Sequence, residues 1–391
     1  MEASAIALLL SVAVNSYGQY YYAQPRTVDI KQEEVDYQSE CFQRWWGVEL
    51  DWKFDNLPAK GTVPDKRMPY SGYHYPDHTG GTLNAMRKYD AAFHRNASRA
   101  HAHERWDIQE HKEVGFETRR AGLFGFQTRR VRVERTPDWY GHCNGWTAAA
   151  IRHAEPQRTV YRNGVRFTPG DIKGLLAEVY MYSETEFLGG IDTAINPGLL
   201  HVVLSNWVGR GEHPIGMESE LGKEVWNYPI YGYASSSAKR SEGKQVEVKS
   251  NVGFVYTTNG EHDKAPAVRR LKYLHYLLDL DEDGKITGGQ YYRDSARIDM
   301  LWTPLQPRQG GEEGNERGNP YLNVEEVLAL WRESVPEENR KDWLNIDPTD
   351  EDRVEVETDT SDSEEATAAP EELDSVTPDD EVALEDAVSE A

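Results

Sequence analysis

Trp139-Tyr140-Gly141-His142-Cys143-Asn144-Gly145-Trp146 leads directly into Thr147-Ala148-Ala149-Ala150-Ile151-Arg152. The second run has high helix propensity, and Asn144-Gly145 suits the turn that opens a helix. The reading therefore hangs a cysteine on a helix N-terminus. There the helix dipole and unpaired N–H groups favour the thiolate, the nucleophilic form of cysteine. Trp139 and Trp146 are expected to wall this site from water. The competing reading is a small buried cysteine between two packing tryptophans.

Bulk composition sets the frame. The chain has 391 residues with 11 Trp and 22 Tyr, enough for one large domain or two ordinary ones with a sizeable core. Cys41 and Cys143 are its two cysteines, so no disulfide framework is expected, and a latent Cys41–Cys143 bridge is disfavoured. The net charge is −24, and residues 346–391 hold nineteen Asp and Glu against the single Arg353, about −18 of that total. The acidity argues against a nucleic-acid partner.

The expected organisation has four parts. Residues 1–23 read as a signal peptide through the apolar run Ala5–Val14, too short to span a bilayer and lacking a preceding Lys or Arg. The mature chain is then expected outside the membrane: secreted, or periplasmic in a bacterial host. Residues 24–80 read as an irregular N-terminal extension packed on the core, 81–345 as the catalytic domain, and 346–391 as a disordered acidic tail.

Within the domain, residues 82–112 look helical. Their His94, His101, His103 and His111 are read as a solvated face, since no matching ligand set accompanies them. Thr128–Glu134 alternates like a strand, its arginines set against acidic neighbours. Thr168-Pro169-Gly170-Asp171 and Asn323 with Glu326 cap two further helices. Leu200–Val208 reads as a buried strand, followed by strands near His213–Met217, Val225–Tyr233 and Val246–Tyr256.

Asp279, Asp281, Asp283 and Gly284 occupy the early positions of a calcium loop, but Gln290 stands where the bidentate Glu belongs. A β-hairpin turning at Asp283-Gly284 is the preferred reading, with weak calcium binding as the option.

A cysteine at a helix start becomes an acyl-transfer catalyst when a histidine shares its proton and a third group orients the imidazole. His201 is the first candidate for that histidine and His213 the reserve. Glu218 is preferred over Asn227 for the third position. The oxyanion hole would use the Cys143 N–H with Trp139 as side-chain donor.

Trp139-x-Gly141-x-Cys143-Asn144-Gly145-Trp146-x-Ala148-Ala149 resembles the active-site helix of the transglutaminase elicitor family, described in oomycete plant pathogens and found also in bacteria. Val225-Trp226-Asn227-Tyr228-Pro229-Ile230-Tyr231-Gly232-Tyr233 is similar to the surface peptide of that family recognised by host plants, with Tyr228 in place of its Gln. Leu278–Gly289 and Phe167–Leu176 add weaker matches, so that residues 80–310 are covered. The resemblance implies an α+β, papain-like or transglutaminase-like fold. It implies glutamine–lysine isopeptide formation through a thioester on Cys143, assisted by His201 and Glu218 or Asn227. Protein substrates with exposed Gln and Lys, or small primary amines, would be the partners, with no required cofactor and calcium as an option. A papain-like peptidase or amidase is the alternative enzyme. A secreted elicitor or binding protein with a lapsed site is the non-enzymatic alternative.

Overall fold

In the computed structural model, residues 28–121, 127–190, 194–240 and 243–341 are described. The expected signal peptide and acidic tail lie outside them. Among the described residues no helix is long and apolar enough to cross a membrane.

The fold is mixed α and β. Its strands are β1 (Val28–Asp29), β2 (Lys60–Thr62), β3 (Glu113–Ala121), β4 (Gln127–Arg135), β5 (Val160–Arg162), β6 (Val165–Phe167), β7 (Thr185–Phe187), β8 (Ile215–Glu218), β9 (Asn227–Arg240), β10 (Gln245–Val255), β11 (Arg269–Leu280), β12 (Ile286–Tyr291) and β13 (Met300–Pro304). The helices are α1 (Gln32–Trp46), α2 (Leu83–Phe93), α3 (Ala100–Glu110), α4 (Cys143–Arg152), α5 (Pro169–Val179), α6 (Pro197–Val203) and α7 (Val324–Ser334). A nine-stranded antiparallel sheet runs in the order β1-β12-β11-β10-β9-β8-β13-β7, with β2 added beside β9. β3–β4 and β5–β6 are separate two-stranded ribbons.

Two apolar clusters share α4. Trp146 and Ala150 belong to the cluster under the sheet, while Ala148 and Ala149 belong to one formed with α2, α5 and α7. Small residues let α4 serve both. At Gly145 a Cβ would stand 2.0 Å from the Ala177 carbonyl oxygen, so only glycine permits this approach of α4 to α5. Helix α5 starts on a capping box: Thr168 Oγ1 accepts from Asp171 N at 3.3 Å, and Asp171 Oδ2 accepts from Thr168 N at 2.6 Å. Asn323 caps α7 by accepting from Glu326 N.

Three expectations are corrected. Residues 82–112 form two helices, broken where Arg95 and Asn96 adopt positive φ. Helix α1 stands where irregular chain was expected. It carries Phe42, Trp45 and Trp46 onto Trp207, with ring centroids 5.7, 5.4 and 4.7 Å away. Leu200–Val208 is helical, as α6 followed by a wide turn at Leu204–Arg210. Asn196 Oδ1 accepts from Gly198 N at 2.8 Å and Pro197 sits at the first helical position, a start signal that outweighs the β-branched run.

The Asp279–Gln290 stretch is the hairpin β11–β12. Asp281 Oδ1 accepts from Asp283 N and Lys285 N, and Gly284 takes φ of 78°. Asp279 is engaged by Gln245 Nε2 at 2.8 Å. Asp281 thus holds the turn and Asp279 is tied to β10, and among the described residues the three aspartates do not bring their carboxylate oxygens within 4.8 Å of one another.

Candidate active site

Helix α4 delivers Cys143 as its first residue, 3% exposed, to a cavity of about 540 Å³. Gly141 lets the chain enter tightly, since a Cβ there would stand 2.7 Å from the His74 carbonyl oxygen. Cys143 Sγ donates to the Val225 carbonyl at 3.6 Å. It accepts from Asn227 N at 3.5 Å and from Asn227 Nδ2 at 3.8 Å. The amide of Asn227 is fixed in turn, because Trp302 Nε1 donates to its Oδ1 at 2.8 Å within the buried interior.

Sheet register explains this convergence. Glu218 lies opposite Asn227 across β8–β9 and opposite Met300 across β8–β13, so the three side chains share one face of the sheet. Trp302 pairs with Gly216, where a Cβ would meet the indole at 2.4 Å. The missing side chain lets the indole lie across β8 and reach Asn227. Cys143, Glu218, Val225, Asn227, Trp302 and Trp139 all line the same cavity.

The electrostatics differ from the expected dipole-activated thiolate. Burial raises the Cys143 thiol above its ordinary range and the Glu218 charge adds to this, against N–H groups of Asn227 and Asn144 that lower it. The balance of these effects favours the protonated thiol over the thiolate. The Glu218 carboxyl, buried and facing Asp299, is pushed up to about 7. That suits a base able to take a proton near neutrality.

His201 and His213 do not join the site. His201 Nδ1 shares a 2.8 Å hydrogen bond with Tyr276 OH, and its ring stacks on Phe54 at 5.5 Å. Burial lowers its pKa to about 4. Its partner strand, β11, lies three places from β8, about 14 Å along the sheet. Helix α6 presses on the β12 end instead: a Cβ at Gly198 would stand 2.8 Å from the Gly288 carbonyl oxygen. His213 Nε2 shares a hydrogen bond with Thr303 Oγ1 at 3.1 Å, among Trp45, Trp46 and Trp207. Neither histidine lines the cavity of Cys143.

The tryptophans divide. Trp139 lines the cavity, stacked on Tyr140 at 4.0 Å. Trp146 is fully buried in the core, its indole filling the space left by Gly72. In the peptide-like motif, Val225 and Asn227 form the wall facing the sulfur, while Trp226 is half-buried with its ring 5.6 Å from His74. Pro229 is buried and pairs with Gly216.

Sequence reasoning missed three features. Trp302 belongs to no motif. His111, assigned to a solvated face, lines the cavity, with Nδ1 2.6 Å from Asp77 Oδ2. His142 is buried between Glu178 at 2.8 Å and Glu104 at 3.8 Å. Burial opposes its charge, but the two glutamates outweigh burial and hold its pKa at about 10. Among the described residues, Glu104, His142 and Glu178 are the group whose potential metal-ligating atoms lie within 4.8 Å of one another. His142 Nε2 is hydrogen-bonded to Glu178 and Thr82 to both glutamates, an ion-pair cluster that fixes the chain entering α4, while His142 Nδ1 is buried without a hydrogen-bond partner.

A family model described as "Transglutaminase elicitor" matches residues 127–190, which include α4 and the capped helix α5. A comparison with curated proteins finds no match. Among solved structures, the GP42 transglutaminase from Phytophthora sojae is similar in fold, with a TM-score of 0.60 and 22% identity. The alignment covers 78% of this chain and 99% of that one. The segment 127–190 is thus similar to the transglutaminase elicitor family, and the described body shares the fold of that transglutaminase.

Proposed function

We propose that the chain is a protein-glutamine γ-glutamyltransferase whose nucleophile is Cys143 and whose base is Glu218. The observation that carries this reading is the buried Cys143 sulfur at a helix start, held by the Asn227 N–H groups in one cavity with a carboxyl of pKa about 7. Glu218 takes the thiol proton as the sulfur attacks a glutamine carboxamide. The protonated Glu218 then gives that proton to the departing nitrogen. Ammonia leaves and a thioester remains. A lysine amine attacks the thioester and loses its proton to Glu218. The C–S bond breaks, the thiolate recovers the proton, and an isopeptide results.

Asn227 and Trp302 position the sulfur, and the aromatic lining by Trp139, Tyr182 and Phe187 disfavours water as the acceptor. This assignment replaces His201 in the papain-like triad. The leader-like Ala5–Val14 and the family's elicitor members support a reaction outside the cell, on proteins with exposed Gln and Lys.

The test is incorporation of a fluorescent primary amine into a glutamine-bearing protein, with and without calcium, beside Cys143→Ala. Incorporation lost in the variant supports the proposal. Backbone cleavage without incorporation assigns a peptidase instead. Neither activity returns the chain to a binding or elicitor role.

A further inference from the structure

The ribbon β3–β4 is a sheet of its own, with solvent on both faces along much of its length. Its register separates two faces. On one, Glu117 neutralises Arg119 at 3.3 Å and Arg135 at 3.9 Å, as the charge pattern led one to expect. The other carries Val114, Phe116, Thr118 and Arg120 opposite Glu134, Arg132, Arg130 and Thr128. There Arg120, Arg130 and Arg132 have no carboxylate partner among the described residues. The Arg130 guanidinium lies 4.2 Å over the Phe116 ring, while Phe116 and Val114 are 57% and 51% exposed. Exposed large apolar groups interleaved with unpaired guanidinium groups form a surface suited to a partner that is both acidic and apolar.

The ribbon is rooted in the cavity wall. His111 lies just before β3, and Trp139 and Tyr140 follow β4. All three line the cavity of Cys143, with the His111 ring stacked on Tyr140 at 4.7 Å. Tyr140 OH also donates to Glu113 Oε1 at the foot of β3.

We infer that this arginine face of the ribbon is an exosite for an extended, acidic segment of the glutamine-donor protein, guiding the neighbouring glutamine to Cys143. This rests on the acyl-transfer reading above. Arg130 and Arg132 alternate along β4, about 7 Å apart, the spacing of carboxylates at alternate positions of an extended peptide. Phe116 and Val114 receive the apolar residues between them. A protein segment is favoured over a continuous polyanion because the exposed Val114 and Phe116 suit apolar side chains set between the carboxylates, which a sugar–phosphate backbone does not offer.

The test uses the full-length chain and its Arg120→Ala/Arg130→Ala/Arg132→Ala variant, with unchanged thermal unfolding as the control for these exposed positions. Two donors are compared: a peptide with glutamine beside alternating Asp and Glu, and a short uncharged glutamine peptide. We expect kcat/KM for the acidic donor to fall about tenfold, mostly through KM, and the neutral donor to stay within twofold. Raising salt should weaken the native protein toward the variant with the acidic donor alone.

Fluorescence anisotropy of the labelled acidic peptide on Cys143→Ala protein, with and without the three arginines, reads the surface separately from the chemistry. Arginine-dependent binding without amine incorporation on any donor would sink the transferase reading and leave the surface intact. Arginine-independent binding, equal losses on both donors, or tighter arginine-dependent binding to phosphatidylserine vesicles or single-stranded DNA would overturn the exosite.

Discussion

Trp302→Phe removes one hydrogen-bond donor from the interior while keeping an aromatic ring in β13. The lost bond is the 2.8 Å contact from Trp302 Nε1 to Asn227 Oδ1, between side chains 3% exposed each. Leaving that amide oxygen buried and unpaired costs about 1–3 kcal/mol. The smaller ring leaves about 40 Å³ unfilled, adding about 1 kcal/mol. Together these predict a destabilisation of about 3 kcal/mol, read as a lower urea midpoint with unchanged m and a Tm lower by about 5 °C. The catalytic effect follows from the same bond. Without it the Asn227 amide can rotate, and its Nδ2 no longer faces the sulfur. We expect kcat for amine incorporation to fall ten- to hundredfold with KM changed less than threefold. A cycle with Asn227→Ala should give a coupling of about 1 kcal/mol or more, since the two side chains share one hydrogen bond. Destabilisation with kcat within twofold of the native value, or strictly additive effects, would show that the indole merely fills space and does not position Asn227.

Glu218→Gln is expected to reduce amine incorporation at least a hundredfold. In the native protein activity should rise with pH through about 7, as the Glu218 carboxylate forms while the thiol stays protonated. A profile centred near 4, or unchanged in Glu218→Gln, would contradict the base assignment. The stability sign follows from the same elevation. A carboxyl raised above its unfolded pKa favours the fold below about 4.5 and loses that contribution as pH rises through about 7. Glu218→Gln should therefore raise Tm at pH 8 more than at pH 4, read by paired thermal scans. His201→Phe should keep activity within threefold while lowering stability, because Tyr276 OH loses one of its buried partners; complete loss of activity in a folded variant would restore the histidine. Gly145→Ala drives a methyl group to 2.0 Å from the Ala177 carbonyl and should cost about 3 kcal/mol or more, measured by urea unfolding.

What the sequence made legible was local. The Cys143 helix, the capped helices after Thr168 and Asn323, and the turn at Gly284 each announce themselves within a few residues. Helix α6 was misread because Leu199–Val208 is buried on every side, so neither helical nor strand periodicity survives in it. Asn196-Pro197 held the correcting signal. The remainder of the site is a product of sheet pairing: Asn227 and Trp302 are 75 positions apart, and Glu218 faces Asn227 only through the β8–β9 register. A one-residue slip in that pairing would turn Glu218 to the other face, and no local pattern reports it. The arginines before Cys143 were visible, and Glu117 pairs with Arg119 on its own strand, but its pairing with Arg135 depends on the β3–β4 register.

In the proposed reaction Cys143 carries the acyl group. A short glutamine peptide mixed with the protein, quenched in acid and mapped by mass spectrometry tests it without an acceptor amine. A hydroxylamine-labile adduct is expected on the Cys143 peptide, with the mass of the donor less ammonia, absent in Cys143→Ala and strongly reduced in Glu218→Gln. An adduct on another residue, or amine incorporation that persists in Cys143→Ala, would contradict it.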